Sequence, residues 1–192
     1  MFKLLFKHVN SYPVISKYSE NSKFSLRSVV SNKLKSKEIK EICLLKDKQW
    51  KFGLKSQFKW FTNNIKKYDL HNLFYIRSKL VGYTLLRKRT LIIKNSNKKK
   101  NYLLFDTLII DKKHRGMNFS DLLMRFNNAI INQSGFFSFL ICKNELVNFY
   151  KKNQWKKLNK FMFSIKDHPF SSNGMVFNKK IMHKKISFYI NK

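Results

Sequence analysis

Apolar residues recur in this chain with two periods, one typical of helices and one typical of strands. Residues 24–30 have strand-like composition, and 36–50 then place apolar residues near one helical face, with Ser36 as the expected N-cap. A break at Gly53 separates this helix from a second one over 52–68. The inner residues of the two helices are predicted to be Ile39, Ile42, Cys43 and Leu45, then Phe58, Trp60, Phe61 and Ile65.

A hairpin is predicted next, with a strand at 71–76, a tight connection at 77–79 and a longer strand at 80–93. Gly82 inside the longer strand suggests either a bulge or a close backbone approach. After a polar loop at 94–101, residues 102–110 form a nearly continuous apolar run. Such a run is typical of a central strand buried on both faces.

The second half of the chain predicts a helix, a strand, a short helix and one or two closing strands. Apolar residues recur at helical spacing from Phe119, Gly135 ends that helix, and a buried strand follows at 136–142. The strand–helix–strand order predicts a right-handed parallel crossover, in which ligands bind beyond the carboxyl ends of the strands. No repeat or linker is visible, so we expect an irregular arm at 1–23 and a single domain at 24–192.

The composition supports a packed core but carries an extreme charge. Of 192 residues, 43% are hydrophobic, and the formal net charge is +31. A basic module that stacks nucleic acid on its aromatic side chains is therefore one alternative. However, only six of the 41 basic residues are arginines and Ala129 is the only alanine. Lys, Asn, Ile and Phe share A/T-rich codons, so nucleotide bias accounts for much of the charge, and we expect no specific nucleic-acid partner.

Cysteine and histidine usage indicates no metal site. Cys43 and Cys142 form no CxxC pair, which fits a reduced cytoplasmic protein, although one long-range disulfide stays open. The five histidines are scattered, so we expect no metal. No run approaches the roughly 18 consecutive apolar residues of a membrane span. The basic N-terminus is similar to a transit peptide, but the rest of the chain shares its bias.

The segment 111–120, "DKKHRGMNFS", has the chemistry of an anion-binding turn. A helix that starts near Phe119 leaves its first N–H groups without internal partners, and they carry partial positive charge. Gly116 permits a sharp turn, and Asn118 is the non-glycine residue best suited to a left-handed conformation. Ser120 is small, and Arg115 adds a fixed charge. An ordinary turn between two core elements would have the same residues, so both interpretations stay open here.

The order of two segments resembles the GNAT acyltransferase superfamily. The family's Arg/Gln-x-x-Gly-x-Gly/Ala loop corresponds to residues 115–120, with Asn118 and Ser120 at the two Gly/Ala positions. The family's later Asn, Tyr and Gly-Phe pattern corresponds to Asn144, Tyr150 and 154–155, where Gln-Trp replaces Gly-Phe. The third strand, "KLVGYTLL", and the order of elements from about 24 to 160 also agree. The resemblance implies an α/β fold of the α+β type: a mixed, mostly antiparallel sheet with one parallel pair, flanked by helices.

The resemblance also implies an N-acyltransferase that moves an acyl group from acetyl-CoA directly to a small primary amine. The amides of Arg115, Gly116, Met117, Asn118, Phe119 and Ser120 would hold the pyrophosphate. The strand Leu108, Ile109 and Ile110 would pair with the pantetheine, and the N–H near Leu108 could polarise the thioester carbonyl. Asn144 would contact the pantetheine arm, and Tyr150 would protonate the departing thiolate. An inactive binding protein with the same fold is a further alternative.

Two residues are candidates for the general base. Burial inside an apolar strand would raise the pKa of Asp106 toward a useful range, whereas a satisfied structural carboxylate is the alternative. His71 at a strand start could reach a substrate cleft, but a lone histidine there is more often structural. Tyr150 could equally be a core tyrosine bonded to backbone, and Cys142 a buried strand cysteine rather than a nucleophile. The tail strand "KISFYI" could pair across a homodimer.

Overall fold

A computed structural model describes residues 24–94, 96–167, 172–178 and 185–191 in full, and the backbone alone of 5–9 and 12–16. The chain contacts gather into two compact units. The first comprises Met1–Arg87 and Asp106–Ile130, and the second comprises Lys88–Phe105 and Ile131–Lys192. The single domain over 24–192 stays a prediction. The prediction of an irregular arm at 1–23 is wrong in part, because strands β1 (Leu5–Val9) and β2 (Tyr12–Ser16) pair antiparallel within this segment.

The first unit contains the predicted strand, two helices and hairpin. Strand β3 (Phe24–Val30) pairs antiparallel with β4 (Leu70–Ile76), which pairs antiparallel with β5 (Lys79–Ile93). Helices α1 (Ser36–Trp50) and α2 (Leu54–Asn64) connect β3 to β4. The predicted inner face of these helices is confirmed by one buried cluster. Its members are Val29, Ile42, Cys43, Leu45, Phe61, Leu73, Leu80, Tyr83, Leu85 and Ile109.

The predicted N-cap of α1 is wrong by one position. The helix begins at Ser36, and Lys35 is the extended residue before it. The Lys35 N–H donates to Glu38 Oε2 at 2.8 Å, so a carboxylate from inside the first turn satisfies the donor ahead of the helix. Glu38 also forms an ion pair with Arg27 of β3. Gly53 is the N-cap of α2, as the break there predicts.

Gly82 in β5 combines both features that its sequence position suggests. The β4–β5 register shifts between Phe74 and Tyr75, opposite Gly82 and Leu80, which identifies a bulge at this point. A Cβ atom on Gly82 would lie 2.9 Å from Ile110 Cδ1, 3.0 Å from Phe74 Cδ1 and 3.2 Å from Leu123 Cδ2. The missing side chain therefore leaves room for three core side chains of the first unit.

We expect Gly82→Val to lower the free energy of unfolding by about 2 kcal/mol, because two added γ carbons overfill this contact. Gly82→Ala should lose less, since it adds one methyl group against flexible side-chain ends. Urea unfolding followed by circular dichroism measures both values. Equal stability of Gly82→Val and the native protein would show that the surrounding core is not closely packed.

The second unit contains the predicted parallel pair. Strand β6 (Lys98–Ile110) enters it, and β7 (Ser138–Cys142) pairs with β6 in parallel. Helix α3 (Phe119–Ser134) connects these two strands along the chain, and Gly135 follows it at φ +69°. Strand β6 begins earlier than predicted, because Lys98–Asn101 belong to the strand rather than to the polar loop. The sheet is mostly antiparallel and is flanked by four helices, as the sequence predicts.

Among the described residues, the second unit ends in four short strands, three of them within 161–190, where the pattern predicts one or two. Helix α4 (Val147–Lys152) precedes β8 (Lys156–Lys157), β9 (Phe163–Ile165), β10 (Asn173–Phe177) and β11 (Ile186–Phe188). Strand β11 pairs antiparallel with β5 and parallel with β9, so both of its edges are already used within the chain. β11 therefore has no free edge for the predicted dimer contact through "KISFYI". A homodimer stays a prediction.

Candidate functional site

The loop after β6 is built on Asp111. The Asp111 N–H donates to Val81 O at 2.7 Å, and the carboxylate accepts from Lys113 N at 3.1 Å and from Lys48 Nζ at 3.1 Å. Burial acts to raise the pKa of Asp111, but the Lys113 N–H and the Lys48 ammonium outweigh it and lower the pKa. Asp111 therefore stays ionised and ties the short 3-10 turn Lys112–His114 to the end of the strand.

Two residues with positive φ turn the chain from this 3-10 turn into α3. Gly116 has φ +78°, and Asn118 has φ +56°. The Asn118 carbonyl accepts the first helical bond from Leu122 N at 3.2 Å, so Asn118 stands immediately before α3. Phe119 anchors the helix start through an edge-to-face contact with Phe74, with ring centroids 5.1 Å apart. Asn118 thus takes the left-handed conformation that its residue type favours.

The main-chain N–H groups of this turn are available for a ligand. Within the described part of the chain, no hydrogen bond involves the N–H of Gly116, Met117, Asn118, Phe119 or Ser120. The loop is exposed from Arg115 to Asn118. Unpaired N–H groups at a helix start satisfy the geometric requirement of an anion-binding turn.

Exposed positive charge surrounds these N–H groups along the chain. Lys112, Lys113 and Arg115 are all exposed. The Arg115 side chain is held by two contacts, with Nε donating to Ile110 O at 3.2 Å and Nη2 donating to the side chain of Gln49. The guanidinium is therefore fixed close to the loop. An oxyanion would find both main-chain donors and positive charge here.

The strand residues before the loop have unequal burial. Ile109 and Ile110 are buried, whereas Leu108 is half-buried. Ile109 belongs to the core cluster of the first unit, so its side chain holds this end of β6 against the helices. Leu108, Ile109 and Ile110 therefore place a rigid backbone segment directly before the anion-binding turn.

Asp106 is held by an ion pair. The Arg87 guanidinium donates from Nη1 to Asp106 Oδ2 at 2.6 Å, and Thr107 Oγ1 donates to Oδ1 at 3.2 Å. The Asp106 side chain is 20% exposed, whereas the Arg87 side chain is only 4% exposed. Asp106 keeps one side open to solvent, so its carboxylate is accessible to a small molecule.

His71 lies in the core of the first unit. Its side chain is fully buried, and its ring stacks between Phe61 and Tyr83. The Nε2 atom lies 2.8 Å from Ser31 Oγ, and Nδ1 lies 2.8 Å from the Tyr83 hydroxyl. Burial lowers the pKa of His71 from 6.5 to about 3, and the charge on Lys46 acts in the same direction. These contacts favour the structural alternative over a base that reaches substrate.

The buried His71 predicts a loss of stability in mild acid. Below pH 6.5, His71 takes up a proton in the unfolded chain, whereas in the folded chain it stays neutral down to about pH 3. The free energy of unfolding should therefore fall by about 2 kcal/mol between pH 6.5 and 5 through this group alone. Urea titrations of the native protein and of His71→Leu across this range measure the difference. Identical slopes for the two proteins would contradict the assignment of a neutral, buried histidine.

A pocket of about 550 Å³ opens beside Asp106 in the first unit. Its lining residues are Lys46, Trp50, Phe52, Ser56, Gln57, Trp60, Asp106 and Thr107. The sequence pattern does not single out Lys46 and Gln57 as pocket residues. The available signal was the position of Lys46 in the sequence, directly after the buried residues of α1. In the structure, Lys46 is itself only 5% exposed. A lysine inside an apolar helical stripe is rarely buried without a reason.

Asn144 lies in the second unit, directly after β7. It begins the 3-10 turn Asn144–Leu146, and its Oδ1 accepts a hydrogen bond from Asn173 Nδ2 at 2.8 Å. The residue is exposed and lines a cavity of about 1030 Å³. Lys143, Lys157 and Lys160 line the same cavity, so this part of the second unit also favours anionic groups.

Tyr150 of α4 lies among aromatic rings of the second unit. It is 8% exposed, and its ring contacts Phe105, Phe149 and Trp155. No described residue forms a hydrogen bond with its hydroxyl. The alternative interpretation, a core tyrosine whose hydroxyl is bonded to backbone, therefore lacks a backbone partner among these residues. Burial raises the pKa of Tyr150, and nearby Cys142 acts in the same direction. The hydroxyl therefore keeps its proton at neutral pH.

The two cysteines are free and buried. Burial raises the pKa of Cys43 to about 11 and also raises the pKa of Cys142, so neither is a thiolate at neutral pH. The described residues contain no cluster of three or more metal-ligating side chains. In the same part of the chain, no helix combines the length and apolar character of a membrane span.

Comparison with known proteins gives similarity in three dimensions only. No protein-family model matches the sequence, and no curated protein matches it significantly. Among solved structures, Escherichia coli ElaA superposes with a TM-score of 0.56 at 14% identity, covering 80% of this chain and 98% of that one. An acyl-CoA N-acyltransferase from Pseudomonas aeruginosa gives 0.56 at 11% identity, with coverages of 80% and 98%.

A third similar structure contains a bound ligand. The PaiA N-acetyltransferase from Thermoplasma acidophilum, in complex with coenzyme A, superposes with a TM-score of 0.50 at 17% identity, covering 81% of this chain and 98% of that one. These identities are low, so the superpositions establish the fold. The fold expected from the order of elements in the sequence is therefore confirmed.

Proposed function

This chain has the GNAT fold, and we propose that it is an N-acyltransferase that moves an acetyl group from acetyl-CoA to a small primary amine. One observation carries the proposal. The N–H groups of residues 116–120 have no partner among the described residues, and the turn between β6 and α3 is exposed from Arg115 to Asn118 and flanked by fixed positive charge. A diphosphate is the part of acetyl-CoA that such a turn fits.

The chain supplies binding groups for each part of the donor. The N–H groups of residues 116–120 bind the diphosphate, and the backbone of Leu108, Ile109 and Ile110 pairs with the pantetheine. The sequence also assigns the Arg115 N–H to the diphosphate, but that group already donates to Lys112 O at 3.3 Å, so Arg115 contributes its charge instead. Asn144 contacts the same arm. The N–H near Leu108 polarises the thioester carbonyl, where negative charge develops during attack. No metal is required, because donor N–H groups stabilise that charge.

The reaction needs one base and one acid. The amine nitrogen attacks the thioester carbonyl, a carbon–nitrogen bond forms, and the carbon–sulfur bond breaks. The amine loses a proton to a base, and Tyr150 donates its proton to the leaving sulfur. The raised pKa of Tyr150 keeps the hydroxyl protonated at neutral pH, so the proton is present when the sulfur leaves as a thiol.

Asp106 is the base that the geometry favours. Its carboxylate borders the pocket and lies two residues before Leu108 on the same strand. His71 was the other candidate, but its two ring nitrogens are engaged and its side chain is fully buried. We therefore assign proton acceptance to Asp106, directly or through one water molecule, and a structural role to His71.

The test is a thiol-release assay with acetyl-CoA over a panel of small primary amines, combined with thermal unfolding in the presence of acetyl-CoA. Acetyl-CoA should raise the melting temperature, because it binds only the folded state. At least one amine should release free coenzyme A, detected with a thiol reagent. No thermal shift with any acyl-CoA would remove the donor assignment, and a shift without turnover would indicate an inactive binding protein.

A further inference from the structure

The pocket beside Asp106 contains hydrogen-bond donors that the chain does not use. Gln57 is 3% exposed and lines the pocket, yet its Nε2 has no hydrogen-bond partner among the described residues. A buried amide N–H₂ without a partner is costly, so a bound acceptor atom would offset that cost. Gln57 thus leaves an unsatisfied donor in the wall of the pocket.

Lys46 supplies a second unused donor in the same pocket. Its Nζ lies 3.3 Å from the centroid of the Trp60 ring and 5.8 Å from that of Trp50. Lys46 forms no hydrogen bond and no ion pair with any described residue. Cation–π contacts hold the ammonium in place but leave its three N–H bonds unpaired. The group is therefore fixed and available to an oxyanion.

Among the described residues, the carboxylate that lines the pocket is Asp106, and each of its oxygens already accepts one hydrogen bond. Asp106 Oδ2 accepts from Arg87, and Oδ1 accepts from Thr107. The Lys46 ammonium is therefore a positive charge in the pocket that has no ion pair with a described residue. An acceptor that carries only an ammonium group would leave both Lys46 and Gln57 unpaired. A carboxylate would satisfy both at once, because each of its oxygens accepts hydrogen bonds.

We propose that the acceptor is a primary amine that also carries a carboxylate, which Lys46 Nζ and Gln57 Nε2 bind inside this pocket. This inference rests on the proposed function for the amine transfer, but the carboxylate site itself does not depend on turnover. The carboxylate binds at the Lys46 and Gln57 side, and the amine faces the Asp106–Thr107 side, where the chain continues to Leu108. The apolar rings of Trp50, Phe52 and Trp60 contact the carbon skeleton between the two groups.

The protonation of Lys46 gives the binding a defined pH limit. Burial lowers the pKa of Lys46 to about 8, with Asp106 and Cys43 opposing this change and Arg87 adding to it. Cys43 is neutral in this range, since its own pKa is raised to about 11. Below pH 8 Lys46 carries the charge that attracts the carboxylate. Above pH 8 the KM for such an acceptor should rise by up to about tenfold per pH unit.

Matched pairs of acceptors test this specificity. Each α-amino acid is compared with the amine left when its carboxylate is removed, for example phenylalanine with phenethylamine, in the thiol-release assay. The amino acid of the best pair should have a kcat/KM at least tenfold higher than its decarboxylated partner. Lys46→Met should raise the KM for the amino acid at least tenfold, and Gln57→Leu severalfold, without changing the KM for the decarboxylated amine.

A control and an independent readout separate this inference from the proposed function. Lys55→Met, an exposed lysine on α2, should leave both kcat and KM unchanged. Quenching of tryptophan fluorescence by the same amino acids, in the absence of any acyl-CoA, reports binding near Trp50 and Trp60. Quenching that Lys46→Met abolishes would support the carboxylate site even if no thiol were released. Better turnover of the decarboxylated amines, or no quenching by any amino acid, would overturn it.

Discussion

Tyr150→Phe should lower the rate of thiol release about 100-fold, the usual contribution of a positioned general acid. The variant replaces the hydroxyl group with hydrogen and keeps the ring that packs against Phe105 and Trp155. The free energy of unfolding should stay nearly unchanged, because no described residue forms a hydrogen bond with the lost hydroxyl. Thiol release at saturating acetyl-CoA, together with urea unfolding, measures both effects.

Tyr102→Phe is the matched control for Tyr150. Tyr102 is also a buried tyrosine of the second unit, but its hydroxyl donates to Tyr189 O at 2.7 Å. Its removal should cost about 1 kcal/mol of stability, since a buried carbonyl loses a partner, while the turnover number should stay the same. Native turnover by Tyr150→Phe would assign Tyr150 to the core and leave the acid to another group.

Gly116→Val should weaken acetyl-CoA binding at least about 100-fold, because a β-branched residue does not keep a left-handed backbone without strain. Gly116 has φ +78°, and a Cβ atom there would meet no heavy atom within 4 Å. The expected loss thus comes from the backbone turn rather than from a clash with the protein. When the backbone turn changes, its N–H groups point in other directions and no longer converge on one anion. Isothermal titration calorimetry with acetyl-CoA measures the affinity.

Gly135→Val separates this effect from general destabilisation. Gly135 has a similar φ of +69° and equally open space, but it lies after α3 instead of before it. Both variants should lose comparable stability in urea, while only Gly116→Val loses affinity. Unchanged affinity in Gly116→Val would show that the diphosphate is bound elsewhere, for example near the lysine-lined cavity of the second unit.

The departure of the loop from the family pattern has a structural explanation at Asn118. The family places Gly or Ala there, and Asn118 takes a left-handed conformation at φ +56°, as asparagine does more readily than other non-glycine residues. Ser120 is half-buried in the first helical turn, and its N–H has no partner among the described residues. The altered loop therefore retains free donors for an anion despite the two replacements.

A nucleic-acid-binding module is the less favoured alternative. Few aromatic residues are exposed enough to stack bases: among the described residues only Trp50, Phe52, Tyr68 and Phe161 are exposed, whereas Tyr83, Tyr102, Phe139, Phe163 and Phe188 are buried. The large positive charge would still attract polyanions without specificity. Binding to heparin as strong as binding to any nucleic acid would agree with a general charge effect, whereas a strong preference for one nucleic acid would favour the alternative.

The sequence by itself determined the order of elements from β3 to α4, because local patterns of apolar residues encode helices and strands directly. It also indicated the turn at Gly116 and Asn118, since backbone conformation there depends on residue type. Tertiary structure alone decided what His71, Asp106, Lys46 and Gln57 contact. Their roles depend on burial and on partners distant in sequence, such as Arg87 for Asp106 and Tyr83 for His71. No local pattern encodes those distances, because packing brings these partners together only after the chain has folded.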